Sequence, residues 1–172
     1  MTQDTIIQRN VTYKTFGGAV LYSAVLAREF GLSAAIVTSA REGFPFKKII
    51  GNIRVKNIIS RENTQFQNNY LLEKRQQYVK AHADEIDFSK IPREWLKSKI
   101  VLLAPIFREF LSFPQIFESS FIGCNLQGWI REKDENGRIR EVKEWNHFNL
   151  SGLDLVVFSD EEVKKSSWDY FA

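Results

Sequence analysis

The chain has 172 residues, 44% of them hydrophobic and 26% charged, with a formal net charge of +3. That composition excludes a disordered chain and suits one globular domain or a large piece of one. The basic residues fall in short pairs such as Lys47-Lys48, Lys74-Arg75 and Lys164-Lys165, a solvated surface rather than the stripe a nucleic-acid partner needs.

The single cysteine, Cys124, excludes an internal disulfide, and its place in FIGCNL points to a buried thiol. His82 and His147 stand too far apart in the chain to suggest a zinc site. No apolar run approaches the ~20 residues of a membrane span. MTQDTIIQRN has no signal-peptide pattern, so no membrane partner and a cytoplasmic location are the expectations.

From the N-terminus, Thr5 to Gln8 and Val11 to Thr15 read as two short strands around a turn at Arg9-Asn10. Gly17-Gly18 opens a helix over AVLYSAVLAREF, apolar nearly all round, which predicts packing on more than one side. Gly31 ends it, and AAIVTS (34–39) follows as a buried strand. Glu42 to Ile50 is compatible with a short helix, and the β-branched run IRVKNII (53–59) predicts a strand. TQFQNNYLLEKRQQYVKAHA (64–83) predicts two extended segments turning near Glu73-Lys74. Thr64, Phe66, Asn68 and Tyr70 then alternate onto one face.

Ser89 is placed to cap a short helix through Trp95-Leu96, with Pro92 in its first turn. IVLLAP (100–105) is a continuous apolar strand of the kind covered on both faces. Phe107 to Ser119 is expected to be helical, interrupted at Pro114. FIGCNL (121–126) and LDLVVF (153–158) read as two more buried strands. Between them GWIREKDENGRIREVKEW predicts a hairpin turning at Glu135-Asn136-Gly137. Asp160, Glu161 and Glu162 open a final helix, where negative charge meets the positive helix end.

Apolar strands alternating with helices predict an α/β fold: one open, mainly parallel sheet flanked by helices, with a small antiparallel lid hairpin at its edge. The chain reads as one domain over 1–172. Residues 1–18 and 53–83 would supply lid and pocket strands, and 19–50 and 84–172 the α/β core. Residues 1–39 and 100–163 would then share a single sheet.

Several segments, in order, resemble the ribokinase-like (PfkB-type) carbohydrate kinases. TFGGAVLYSAVLAREFGLSAAIVTS (15–39) is similar to that family's first glycine signature, a lid strand ending in Gly-Gly before a long helix. The dinucleotide fingerprint G-x-G-x-x-G is absent. MTQDTI (1–6) resembles the family's opening stretch and places Asp4 at its substrate-binding aspartate. NTQFQNNY (63–70), with Arg75-Gln76, resembles strands lining the sugar pocket in one subgroup. LLAPI (102–106) and LQGWIR (126–131) resemble two further segments of that subgroup. FSDEEV (158–163) resembles the N-x-x-E region, with Ser159 in place of Asn or Asp and Glu162 at the glutamate. Tyr22 departs from the pattern: many members carry asparagine there, so ribose- or fructose-like specificity is not implied.

The resemblance implies phosphoryl transfer from ATP, with Mg²⁺, to a hydroxyl of a sugar or nucleoside. The implied substrate-binding residues are Asp4, Gly17, Gly18, Thr64, Phe66, Asn68 and Gln127, while Glu162 would organise Mg²⁺ through water. Lid strands of the family often pair between subunits, which implies a homodimer. The residue chemistry agrees. Asp4 offers two acceptors to vicinal hydroxyls, the glycines admit a close ligand, and Thr64, Asn68 and Gln127 add neutral polar contacts beside a Phe66 wall.

Each of these residues also has a plainer reading. Asp4 could be a solvated turn residue, Gly17-Gly18 a strand-to-helix turn, and Glu161-Glu162 a helix start. The family's second signature, a D-T-x-G-A-G-D type segment, has no equivalent in the sequence. That segment holds the phosphoryl charge and supplies the proton-accepting aspartate. The expectation is therefore a truncated, inactive substrate-binding portion that uses no ATP productively by itself. The alternative is a non-catalytic sugar-binding or interaction module. The family's first strand normally precedes the stretch matched by MTQDTI, and its absence predicts a raw sheet edge.

Overall fold

The structure is a computed structural model, described here for residues 1–9, 11–70, 75–110, 112, 115–141 and 150–159. The strands are β1 (Thr2–Gln8), β2 (Val11–Gly17), β3 (Ala35–Ala40), β4 (Arg54–Ile59), β5 (Thr64–Asn69) and β6 (Gln76–Ala81), then β7 (Ile100–Leu103), β8 (Phe121–Asn125), β9 (Arg131–Lys133), β10 (Ile139–Glu141) and β11 (Leu155–Val157). The helices are α1 (Ala19–Glu29) and α2 (Phe46–Ile50), with 3₁₀ turns at Phe88–Lys90, Arg93–Lys97 and Leu126–Gly128.

Strands and helices mix as an α/β chain should, but the single open sheet is not formed. The described strands make four hydrogen-bonded groups. A mixed sheet runs β2-β1-β5-β6, a parallel pair joins β3 to β4, a parallel sheet runs β11-β8-β7, and β9-β10 is a hairpin. Residues 1–39 and 100–159 therefore do not share one sheet. The reason is local: β3 pairs only with β4, and β7 only with β8, so no ladder bridges the two parallel groups. Only two α-helices are described.

The first sheet carries the predicted lid. β1 and β2 form an antiparallel hairpin, turning where Arg9 takes φ 51. β5 adds to β1 in parallel and β6 to β5 antiparallel. β4, grouped by sequence with these strands, instead pairs with β3.

Other expectations change for physical reasons. α1 buries Leu21 and Ala24 but leaves Tyr22 65% and Leu26 58% exposed, so it packs on one side, not several. Asp87, not Ser89, starts the next turn, accepting from the Ser89 N–H at 3.0 Å and hydroxyl at 2.6 Å. Two 3₁₀ turns form from there to Lys97, rather than one helix.

The described part of 107–119 has no helix. Its backbone groups are taken by one local carboxylate and by two tertiary partners. The Glu109 carboxylate accepts from the Ile106 and Phe107 N–H groups, Ile86 N–H donates to the Glu109 carbonyl, and the Trp129 indole donates to the Phe110 carbonyl. Arg108, at φ 55, is in the left-handed region and breaks any helical run. The final helix expected from Asp160 lies outside the described residues.

The core forms three clusters. One packs Leu103, Ile122, Cys124, Trp129 and Ile130 beneath the three-stranded sheet. A second joins Met1, Leu21, Ala24 and Ile36. The third, Phe66, Val79, Ile106 and Phe107, seals the mixed sheet against the segment after β7. Cys124 is buried as expected, and burial pushes its thiol up to about 12. No described helix is long and apolar enough to cross a membrane.

Candidate functional site

Strand register assembles the site. Directly opposed residues in a sheet share a face. Three rows cross β2, β1 and β5: Gly17–Thr2–Thr64, Thr15–Asp4–Phe66 and Tyr13–Ile6–Asn68. β6 extends two of them, with Val79 beside Phe66 and Gln77 beside Asn68. Five predicted site residues, Asp4, Gly17, Thr64, Phe66 and Asn68, therefore lie on one face. Period-2 alternation on β5 and the β1–β2 hairpin put them there.

Asp4 is the chemically distinctive member. It sits on a central strand, and its Oδ1 is buried with no hydrogen-bond partner. The Thr2 hydroxyl donates to the carboxylate. Burial pushes the Asp4 carboxyl above its ordinary range, opposed by that hydrogen bond and by the charges of Arg131 and Arg75. A buried acceptor left unpaired costs about 1–3 kcal/mol. A ligand hydroxyl donating to Oδ1 removes that cost.

The glycines serve this carboxylate and its neighbours. A Cβ on Gly17 would lie 2.9 Å from Asp4 Oδ2 and 3.1 Å from the Thr2 hydroxyl. Gly18 has φ +106, and a Cβ there would lie 2.6 Å from Ile106 Cδ1. The pair thus does more than turn the chain into α1: it lets Asp4 and Ile106 close on the backbone.

The remaining predicted residues are partly committed to the fold. Thr64 Oγ1 accepts from the Ala83 N–H at 3.1 Å. Asn68 Oδ1 accepts from Gln77 Nε2 at 2.8 Å. Phe66 is 3% exposed, a core residue as much as a wall. Gln127 lies in the 3₁₀ turn whose backbone is capped by Asn125 Oδ1 at 2.9 Å. That turn packs on the segment after β7 at Gly128, where a Cβ would lie 2.3 Å from the Pro105 carbonyl carbon. Glu162 lies outside the described residues.

Arg131 was missed. It is 7% exposed, its guanidinium lies 5.9 Å from the Phe66 ring centroid, and its charge acts on Asp4. The one signal for it was a charged residue closing the apolar stretch LQGWIR. Thr2, which joins Asp4 to Gly17, lay inside MTQDTI and carried no signal of its own.

Among the described residues no group of three or more His, Cys, Asp or Glu could hold a metal. Asp4 and Arg131 suit hydroxyl recognition rather than a metal centre. A cavity of about 850 Å³ lies beside this face. It takes in Met1, Thr64 and Ile106 but none of Asp4, Gly17, Phe66 or Asn68.

No family model and no curated protein matches the sequence. Solved structures do match. A pyrophosphate-dependent kinase of the ribokinase family, in a sulfate complex, is 18% identical, with a TM-score of 0.67 over 81% of this chain and 52% of that one. A pyrophosphate-dependent kinase of the same family, complexed with a pyrophosphate analogue and myo-inositol, is 18% identical, with a TM-score of 0.65 over 81% of this chain and 51% of that one. An uncharacterised sugar kinase from Pyrococcus horikoshii is 14% identical, with a TM-score of 0.55 over 73% of this chain and 50% of that one. This likeness shows a ribokinase-like fold. The chain spans about half the length of the solved structures it matches.

Proposed function

We propose that this chain is the substrate-recognising part of a ribokinase-like carbohydrate kinase. It holds a neutral polyhydroxylated molecule against the β1–β5 face. The observation that carries the reading is the unpaired, buried Oδ1 of Asp4, on a face whose backbone is opened by Gly17. Vicinal hydroxyls can donate to the carboxylate, with Asn68, Gln77 and Arg131 at the margins. The fold supports the reading, since the matched solved proteins are kinases.

The candidate substrates are sugars, nucleosides and, because one matched protein is complexed with it, myo-inositol. The resemblance in sequence points to ATP with Mg²⁺ as donor, whereas two matched proteins are pyrophosphate-dependent. No D-T-x-G-A-G-D type segment is present to hold the phosphoryl group. The chain by itself therefore binds its ligand without phosphorylating it.

The test is calorimetric titration with a panel of sugars, nucleosides and cyclitols, then a turnover assay with ATP-Mg²⁺ or pyrophosphate. The expected result is saturable binding of at least one polyol, lost in Asp4→Ala, and no turnover. No binding at millimolar ligand would end the substrate reading. Turnover that disappears in Asp4→Ala would overturn the inactivity.

Homodimerisation through the lid is a second part of the proposal. β2 is an edge strand, and its Val11 and Tyr13 are 59% and 49% exposed. Sedimentation velocity should give a dimer that Tyr13→Lys dissociates.

A further inference from the structure

Two described residues other than glycine take a positive φ, Arg9 at 51 and Arg108 at 55. Arg9 turns the β1–β2 hairpin. Arg108 turns no hairpin: it lies in the segment after β7, between Phe107 and Glu109. The left-handed region penalises a residue with a Cβ, and glycine or asparagine enters it at less cost. A chain that needed the bend alone would be served better by glycine at 108. An outlier of this kind points to a use for the side chain.

That side chain has a defined partner. Arg108 is exposed, yet its Nε donates to the Arg131 carbonyl at 3.1 Å, and its backbone N–H donates to the Gly128 carbonyl at 3.1 Å. The contact is returned: Arg131 Nη1 donates to the Ile106 carbonyl at 3.4 Å. Each arginine thus bonds the main chain of the other's segment. The two segments meet without slack, since a Cβ on Gly128 would stand 2.5 Å from the Ile106 nitrogen. Arg108 forms no ion pair among the described residues, so the Arg131 carbonyl is what holds its guanidinium.

What this junction places is the guanidinium of Arg131. β9 begins at Arg131, and its hairpin with β10 is held at the far end by β6, where the Val79 N–H donates to the Gly137 carbonyl at 2.8 Å. Arg108 holds the near end. The Arg131 guanidinium then lies 5.9 Å from the Phe66 ring centroid, and Phe66 stands directly opposite Asp4 in the β1–β5 register. Three charges, on Arg131, Arg75 and the Met1 amino group, oppose the upward push of burial on the Asp4 carboxyl, as does the Thr2 hydrogen bond. Arg131 is the member of that set bonded to Arg108.

We infer that Arg108 is a positioning residue for the polyol site: its Nε bond to the Arg131 carbonyl fixes the start of β9, and thereby the Arg131 guanidinium over Phe66, on the face that carries Asp4. Arg108 acts through Arg131 and does not itself contact the ligand. Glycine at 108 would relax the backbone and lose the clamp, so the strain and the function are two sides of one residue. The inference rests on the polyol reading for its consequence, though not for its geometry.

The test is Arg108→Gly, which accepts the left-handed backbone and removes Nε, with Arg108→Asn as a second variant able to enter the same region. Each is measured in the full chain for melting temperature, for polyol affinity against pH and, without ligand, for the Asp4 titration by carboxyl NMR. The melting temperature should not fall, while affinity should drop about fivefold to tenfold, the usual worth of one hydrogen bond. The Arg131 charge holds the Asp4 carboxyl down, so displacing it moves that titration, and the acid limb of the affinity profile, to higher pH. Arg131→Gln should move both the same way. Adding Arg108→Gly to it should cost no further affinity, because the two arginines act as one unit. A variant that melts lower with affinity and titration unchanged would make Arg108 a structural residue and overturn the inference. So would additive losses in the double variant, or an Asp4 titration that stays in place in Arg108→Gly. If the unaltered chain binds no polyol, the polyol reading fails by itself. The ligand-free titration then decides: a shift in Arg108→Gly supports the positioning of Arg131, and no shift overturns it.

Discussion

A Cβ placed on Gly17 would stand 2.9 Å from Oδ2 of Asp4, so the glycine and the carboxylate occupy one space that no larger residue can share. Gly17 belongs to the edge strand β2 and Asp4 to its central neighbour β1. Gly17 is not among the positive-φ glycines, so closeness rather than backbone conformation demands it.

Gly17→Ala should therefore weaken polyol binding at least tenfold by displacing the Asp4 carboxylate. Overpacking of this kind costs about 1–3 kcal/mol. Titration calorimetry and chemical denaturation measure the two effects. Unchanged affinity in a folded variant would remove Gly17 from the site.

Asp4→Asn separates recognition from stability. Burial disfavours the ionised carboxylate, so its neutral replacement should melt no lower at pH 7. Binding should fall about tenfold to a hundredfold, the usual worth of a hydrogen bond to a charged acceptor. A carboxylate with a purely structural role would show the reverse pattern: a lower melting temperature and intact binding.

The pH dependence comes from the same group. The folded-state pKa of Asp4 is raised above 3.8, burial being the main cause. Stability linked to this group is then fully present below 3.8 and is lost as pH rises through the raised value. Affinity runs the other way, because the ionised form is the better acceptor. On acidification, polyol affinity should begin to fall at a pH above 3.8, and Asp4→Asn should flatten that profile.

Gly128→Ala tests the scaffold. A Cβ there would meet backbone atoms of Pro105 and Ile106 at 2.3–2.5 Å, and backbone cannot swing aside as a side chain can. The expected loss is about 3 kcal/mol or more, at the upper end of overpacking costs. Urea denaturation measures it.

Cys124 should resist alkylation in the native chain. It is buried, and its thiol pKa is pushed up to about 12, so thiolate is scarce at neutral pH. Iodoacetamide labelling should track global unfolding in urea. Rapid labelling without denaturant would contradict the burial of β8.

Sequence alone determined what depends on near neighbours. Alternation from Thr64 to Asn68 is a property of successive residues, and β5 buries Thr64, Phe66 and Asn68 accordingly. Gly17-Gly18 before α1 and the hairpin around Gly137 were legible for the same reason: φ values and side-chain period are local.

Tertiary structure decided whatever depends on partners far along the chain. β1 meets β5 across some sixty residues, and only that pairing sets Asp4 beside Phe66. Arg131 reaches Phe66 from another sheet. The described part of the stretch after Ile106 forms no helix: Ile86 and Trp129, distant in the chain, donate to the carbonyls of Glu109 and Phe110, while the Glu109 side chain takes nearby N–H groups. The break between β3 and β7 was invisible in either strand, since an edge is defined by what lies beside it in space. Residue type sets what a segment can do; the hydrogen bonds that remain open once the chain has folded set which of those things it does.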